Sequence, residues 1–150
     1  MTSGREIARA LRAAYLALHR QTNACLAPDG VTADQFVVLS ALADKDGVTQ
    51  QDLVRRVGSD ANTVRAILLL LEGRGVVARE PHPADGRARF VTLTAKGRQV
   101  FKKLWARSEP LRAQLLNAFK PDEVTALVGL LNHVADVLAP AALADRRSAG

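Results

Sequence analysis

A change of apolar period at Gly73–Gly75 governs how this chain can fold. Before it, Gln50–Val57 and Ala61 to about Arg74 carry apolar residues at helical spacing: Leu53 and Val57 in the first segment, Val64, Ile67, Leu68 and Leu71 in the second. Gly58 can end the first segment, and Ser59 or Asp60 can cap the second. After it, Val76–Glu80 and Arg89–Leu93 read as two short strands. Pro81-His82-Pro83-Ala84-Asp85-Gly86-Arg87 joins them as an exposed hairpin loop stiffened by two prolines. Two short helices across a tight turn, followed at once by a hairpin, form a helix-turn-helix with a β-wing.

The flanks are helical. Arg5 to about Leu26 places Ile7, Leu11, Ala14, Leu18 and Cys25 near one face, and Pro28-Asp29-Gly30 breaks it. Thr32 can cap a helix over Ala33–Ala43, with Phe36, Leu39 and Leu42 or Ala43 turned inward, and Thr49 can cap the segment that follows the Asp46-Gly47 turn. Thr94 reads as the cap of a long helix reaching about Phe119, with Phe101, Leu104, Trp105, Ser108, Leu111 and Leu115 facing inward and Pro110 bending it. Lys120-Pro121-Asp122-Glu123 opens the last helix, since proline suits a first helical position and acids suit the positive end of the helix dipole. Val124, Leu127, Val128, Leu131, Val134, Ala135 and Leu138 form its apolar stripe.

The expected class is therefore mainly α with a small β-wing: a winged helix-turn-helix over 31–97, flanked by dimerisation helices at 1–30 and 98–140, with a disordered tail at 141–150. The terminal stripes have no intramolecular sheet to cover, and a second copy of the same chain is the simplest partner.

Charge and composition narrow the function. The chain carries 21 Lys and Arg against 15 Asp and Glu, a formal net charge of +6, which suits an anionic partner such as nucleic acid. The excess concentrates between Thr49 and Arg98, where nine basic residues meet five acidic ones. No apolar run approaches the ~20 residues of a membrane span, and the N-terminus lacks the apolar core of a secretory signal, so a cytoplasmic protein is expected. The single cysteine excludes an intramolecular disulfide, and the isolated histidines offer no metal-ligand spacing. No nucleophile elbow, phosphate loop or acid–base pair points to an enzyme, and no cofactor is implied.

The second helix of a helix-turn-helix enters the major groove by its N-terminal end. Here that end presents Asp60, Asn62, Thr63, Arg65 and Ala66. Asn pairs with adenine and Arg with guanine through two hydrogen bonds each, and Thr can touch a thymine methyl or a phosphate. The same residue types are also what any helix start prefers, so capping alone is the competing explanation. On the wing, Arg87 is placed to enter a narrow minor groove, and Asp85 to hold its guanidinium by a charge-assisted pair.

The run Asp85-Gly86-Arg87-Ala88-Arg89-Phe90-Val91-Thr92-Leu93-Thr94 resembles the wing pattern D-x-R-x-x-x-V-x-L-T of the MarR (multiple antibiotic resistance regulator) family, and Gly97 follows as that pattern leads one to expect. Upstream, Thr32-x-x-Gln35-Phe36-x-x-Leu39, Thr49-Gln50-x-Asp52-Leu53, Thr63-Val64 and Leu71-Glu72-x-Arg74-Gly75-Val76-Val77 are similar to the family's helix-turn-helix, so the resemblance spans about Thr32 to Gly97. It implies a homodimer with one winged helix per subunit that binds palindromic double-stranded DNA and is released by a small effector, often an aromatic acid. Carried across, Arg87 is the minor-groove reader with Asp85 as its orienter, and Asn62, Thr63 and Arg65 face the major groove. Arg55, Arg56, Arg74 and Arg89 are assigned phosphate positioning or structural support. The family's effector cleft is lined from the first, second and fifth helices, where this chain has Tyr15, His19 and Trp105. His19 could bind a carboxylate when protonated, or simply hydrogen-bond a carbonyl. Family members that sense peroxide do so with a cysteine much nearer the start of the first helix, near Arg9 here, so a buried inert thiol competes with a sensor at Cys25.

Overall fold

The computed structural model describes residues 1–45, 47–81, 84 and 89–139, with the backbone alone at Arg89. Helix α1 spans Gly4–Leu26, α2 Ala33–Ala43, α3 Gln50–Val57 and α4 Ala61–Gly73. Strands β1 (Val48–Thr49), β2 (Val77–Pro81) and β3 (Arg89–Leu93) form one antiparallel sheet in the order β1-β3-β2. Helices α5 (Ala95–Arg107), α6 (Glu109–Asn117) and α7 (Pro121–Val137) follow. The chain divides into two compact units, Met1–Glu109 and Pro110–Gly150.

Local chemistry sets most boundaries. Ser3 caps α1 and Thr32 caps α2, each with a glutamate or glutamine three residues on that returns a bond to the cap backbone. Thr49, Asp60 and Thr94 cap α3, α4 and α5 through their side-chain oxygens. Gly58 ends α3 at φ +67°, a left-handed conformation that costs glycine little. Pro121 opens α7, and the Lys120 amide donates to Glu123 Oε1 at 2.9 Å.

The core lies within the first unit. Leu26 of α1, Leu39 of α2, Leu53 of α3, Val64, Leu68 and Leu71 of α4, Val91 of β3 and Leu104 of α5 are all essentially buried and belong to one cluster. Burial of each such side chain contributes about 1.5–3 kcal/mol. β3 is central because it pairs on both edges: Val77 opposes Leu93 on one side, and Val48 opposes Val91 on the other.

Three expectations require correction. The long helix expected from Thr94 to about Phe119 is two helices, interrupted at Ser108. Pro110 has no amide proton, so the Ala106 carbonyl four residues before it loses its helical donor; just ahead of the break the Ser108 hydroxyl bonds back into its own preceding turn, 3.0 Å from the Leu104 carbonyl and 3.1 Å from that of Trp105. Strand β1 was not expected; two residues carry no readable period, and only pairing with β3 makes them a strand. Two positions expected to face inward are exposed: Trp105 on α5 and Leu115 on α6. The terminal stripes, by contrast, are uncovered within the chain as their sequence implies, at Ile7 and Leu18 on α1 and at Leu127, Val128 and Leu131 on α7.

Candidate nucleic-acid interface

Helix α4 has two distinct sides. Val64, Leu68 and Leu71 anchor it in the core, while Asn62, Thr63, Arg65 and Ala66 are exposed. The first turn is rigidly built: Asp60 Oδ1 accepts the Thr63 amide at 2.8 Å and Asp60 Oδ2 accepts the Thr63 hydroxyl at 2.7 Å. These bonds, the backbone one foremost, hold the Asp60 carboxyl below the ordinary carboxylate value. Of the two caps open from sequence, Ser59 or Asp60, the structure selects Asp60.

The arginines divide by environment. Arg55 is exposed on α3 but paired with Asp52 one turn earlier. Asp52 is in turn kept below its ordinary value by a hydrogen bond with Thr49 and then by Arg55. Arg56 is exposed beside it. Arg74 spends one guanidinium nitrogen on the Gly30 carbonyl at 3.0 Å, and Lys96 Nζ donates to the Arg74 carbonyl at 2.9 Å, so the end of α4 is tied to both the α1–α2 corner and the start of α5. Asp85 and Arg87, and the side chain of Arg89, lie outside the described residues.

The α1–α2 corner holds a cluster that sequence reading missed. Asp29, whose side chain is only 10% exposed, lies 3.1 Å from Lys103 Nζ through Oδ1 and 2.5 Å from Arg107 Nε through Oδ2. The second contact has the distance of an ion pair but not the alignment of a hydrogen bond, and among the described residues Oδ2 has no other donor. The Lys103 hydrogen bond outweighs desolvation and, with the positive field of Arg107, holds the carboxyl below its ordinary value. Alternating charges 74–78 residues apart offer no periodic signal, which is why the cluster is invisible before folding. Nearby, the Cys25 thiol donates to the Arg107 carbonyl at 3.1 Å from a half-buried position.

A pH prediction follows from these carboxyls. Asp29, Asp52 and Asp60 all have folded values below their unfolded ones, so their stabilising contribution is complete above the unfolded value and is lost as pH falls through the lowered ones. Their share of the melting temperature should hold from about pH 7 to 5 and decline below about pH 4. Asp29→Asn should flatten that acid decline; a wild-type acid limb in the variant would show that the corner contributes nothing to it.

The residues assigned to an effector cleft fall into two groups. Tyr15 and His19 share one face of α1, with ring centroids 5.5 Å apart, and His19 Nδ1 stands 4.0 Å from Asp34 Oδ1 on α2. Trp105 belongs to an aromatic cluster with Phe36 and Phe101, at centroid separations of 6.5 and 5.8 Å, and Phe36 lies 5.9 Å from Phe101. Phe36 and Phe101 pack against the core as expected and are half buried; the i, i+4 spacing of Phe101 and Trp105 is the sequence signal for their pairing. A pocket of about 350 Å³ opens beside Phe36, lined also by Val37, Ser40, Ala41, Asp44 and Arg56. A second, of about 390 Å³, lies between α2, β3 and α5, with Leu42, Thr92, Arg98 and Phe101 in its walls. Among the described residues no cluster of His, Cys, Asp and Glu could hold a metal ion, and no helix is long and apolar enough to cross a membrane.

A core-anchored helix with an exposed polar first turn, reached across a glycine turn and followed by an antiparallel strand pair, defines a winged helix-turn-helix protein. A family model described as MarR family matches residues 29–88. Transcriptional regulator HosA of Escherichia coli O157:H7 is 34% identical over 107 residues, covering 71% of this chain and 78% of that protein. Other curated HosA proteins are matched over only about half of their own length. The chain belongs to the MarR family. Among solved structures, the Bordetella bronchiseptica protein BpsR, whose DNA binding is regulated by 6-hydroxynicotinic acid, superimposes with a TM-score of 0.79 at 30% identity, covering 91% of this chain and 97% of that one. A cysteine-to-serine variant of E. coli MarR complexed with operator DNA gives 0.76 at 28% identity, covering 85% and 92%.

Proposed function

We propose that this protein is a cytoplasmic, homodimeric, sequence-specific transcription repressor, not an enzyme, released from a palindromic operator by a small aromatic effector. The observation that carries the reading is the two-sided α4: three side chains bind it to the core, and Asn62, Thr63 and Arg65 are left exposed where a major groove would meet them. Arg87, with Asp85 as its orienter, would reach the minor groove. Arg56 and Arg89 are the phosphate contacts; Arg55 and Arg74 act first as structural links. The dimer rests on the exposed apolar residues of the terminal helices, Ile7 and Leu18 on α1 and Leu127, Val128, Leu130 and Leu131 on α7, which water would otherwise cover. The effector reading rests on the Phe36–Phe101–Trp105 cluster beside an open pocket, with Tyr15 and His19 on α1 as further candidates.

A gel-shift titration on the DNA upstream of its own gene tests the reading. Affinity should fall steeply with salt and favour that DNA over random duplex; equal affinity for every duplex would overturn specific regulation. Arg87→Ala should weaken operator binding by about 1–3 kcal/mol, and an unchanged affinity would remove that arginine from the interface. Sedimentation at micromolar concentration should show a dimer, and a chain that stays monomeric would defeat the paired-wing arrangement.

A further inference from the structure

We infer that Asp60 and Thr63 together form an acceptor-only pair at the start of α4 that selects cytosine at one position of each half-site. This rests on the proposal that α4 enters the major groove, and it specifies what that turn recognises there.

Capping a helix requires one carboxylate oxygen. Asp60 Oδ1 supplies it, accepting the Thr63 amide at 2.8 Å. The second oxygen does something else: Oδ2 lies 2.7 Å from Thr63 Oγ1. An ionised carboxylate can only accept, so the hydroxyl must be the donor of that bond. A threonine hydroxyl has one proton, and here it is spent inside the turn. Thr63 is then left with lone pairs alone to offer outward, and Asp60 likewise retains only lone pairs. Both residues are exposed, as are Asn62 and Arg65 on the same turns.

Acceptors pair with the amino donors of the major groove, cytosine N4 and adenine N6, and repel the keto oxygens of guanine and thymine. Adenine places the N7 acceptor next to its amino group, facing the carboxylate; cytosine has no second acceptor on that edge. Cytosine is therefore the base this pair prefers. The negative charge also disfavours any contact of Asp60 with phosphates, so whatever contact it makes with the duplex is to a base edge.

The test selects bound sequences from a random-duplex library with the full-length wild-type chain and three variants. Asparagine caps as well as aspartate, so Asp60→Asn keeps the turn while replacing one oxygen by a donor. Its amide can donate to Thr63 Oγ1, which turns the hydroxyl proton outward. The wild type should enrich a motif with cytosine at one position per half-site, preferred by roughly 5- to 150-fold. Asp60→Asn should lose that preference and shift it toward thymine or guanine, leaving the remaining positions as they were. Thr63→Val should reduce the preference without reversing it. Should Asp60→Asn fail to fold, Asp60→Ser retains one cap bond, removes the anion and should lose the same cytosine. An unchanged motif in the Asp60 variants would overturn the inference, as would uniform weakening on all sequences, the signature of a cap and nothing more. A wild type that enriches no motif at all would instead bring down the DNA-binding proposal, and this inference with it.

Discussion

Gly97→Ala should lower the melting temperature by roughly 10 °C, the equivalent of about 3 kcal/mol in a chain of this size. The added methyl carbon would stand 1.9 Å from the Val76 carbonyl oxygen and 2.9 Å from its carbon. Both are backbone atoms, and neither is free to move. The same carbonyl accepts the Thr94 amide at 3.1 Å, and the Thr94 hydroxyl donates to the Gly75 carbonyl at 2.6 Å while accepting the Gly97 amide at 3.0 Å. Relieving the clash would part α5 from the strand that follows α4, so the wing should loosen along with the fold. Thermal denaturation followed by circular dichroism measures the effect. A melting temperature within 2 °C of wild type would show that the approach of α5 to β2 is looser than described.

Leu68→Ala should cost about 2–5 kcal/mol, because this fully buried side chain leaves a cavity between α4 and the rest of the core. On the opposite side of the same helix, Asn62→Ala should change stability by no more than about 0.5 kcal/mol, since Asn62 is exposed. The pair separates fold from recognition. Denaturant unfolding should distinguish Leu68→Ala from wild type and fail to distinguish Asn62→Ala. Gel shift at a temperature where both remain folded should show the larger loss for Asn62→Ala. If Leu68→Ala proved neutral, α4 would not be seated by the contacts described here.

The winged helix was legible because its signals are short-range. Thr49, Asp60 and Thr94 each accept an amide three residues on, a bond that needs no other part of the molecule. Gly58 and the residues after it end one helix and begin the next within four positions. The exposed Asn62, Thr63 and Arg65 follow from the same helical period that buries Val64, Leu68 and Leu71. The interruption at Ser108 was only half legible. Pro110 announced a disturbance, but whether a helix bends or divides depends on whether the helical bonds resume in register beyond it, and here the chain divides at Ser108, whose hydroxyl bonds back into its own preceding turn.

Charge and aromatic groupings behaved differently. Asp29 pairs with Lys103 and Arg107, Arg74 reaches Gly30, and Phe36 meets Phe101 and Trp105. Taken alone in the sequence, each of these residues has several equivalent futures: solvent, a local ion pair or a distant one.

The helix-turn-helix and its wing strands, the caps at Thr32, Thr49 and Thr94 and the exposed side of α4 were thus determined by the amino-acid sequence by itself, since periodicity and capping act within one or two turns. Tertiary structure alone decided that Val48–Thr49 is a strand, that an acidic corner clasps α5, and that three aromatics gather beside a pocket. Those outcomes require segments 40 to 80 residues apart to close upon one another, and only packing of the shared core meets the entropic cost of that closure.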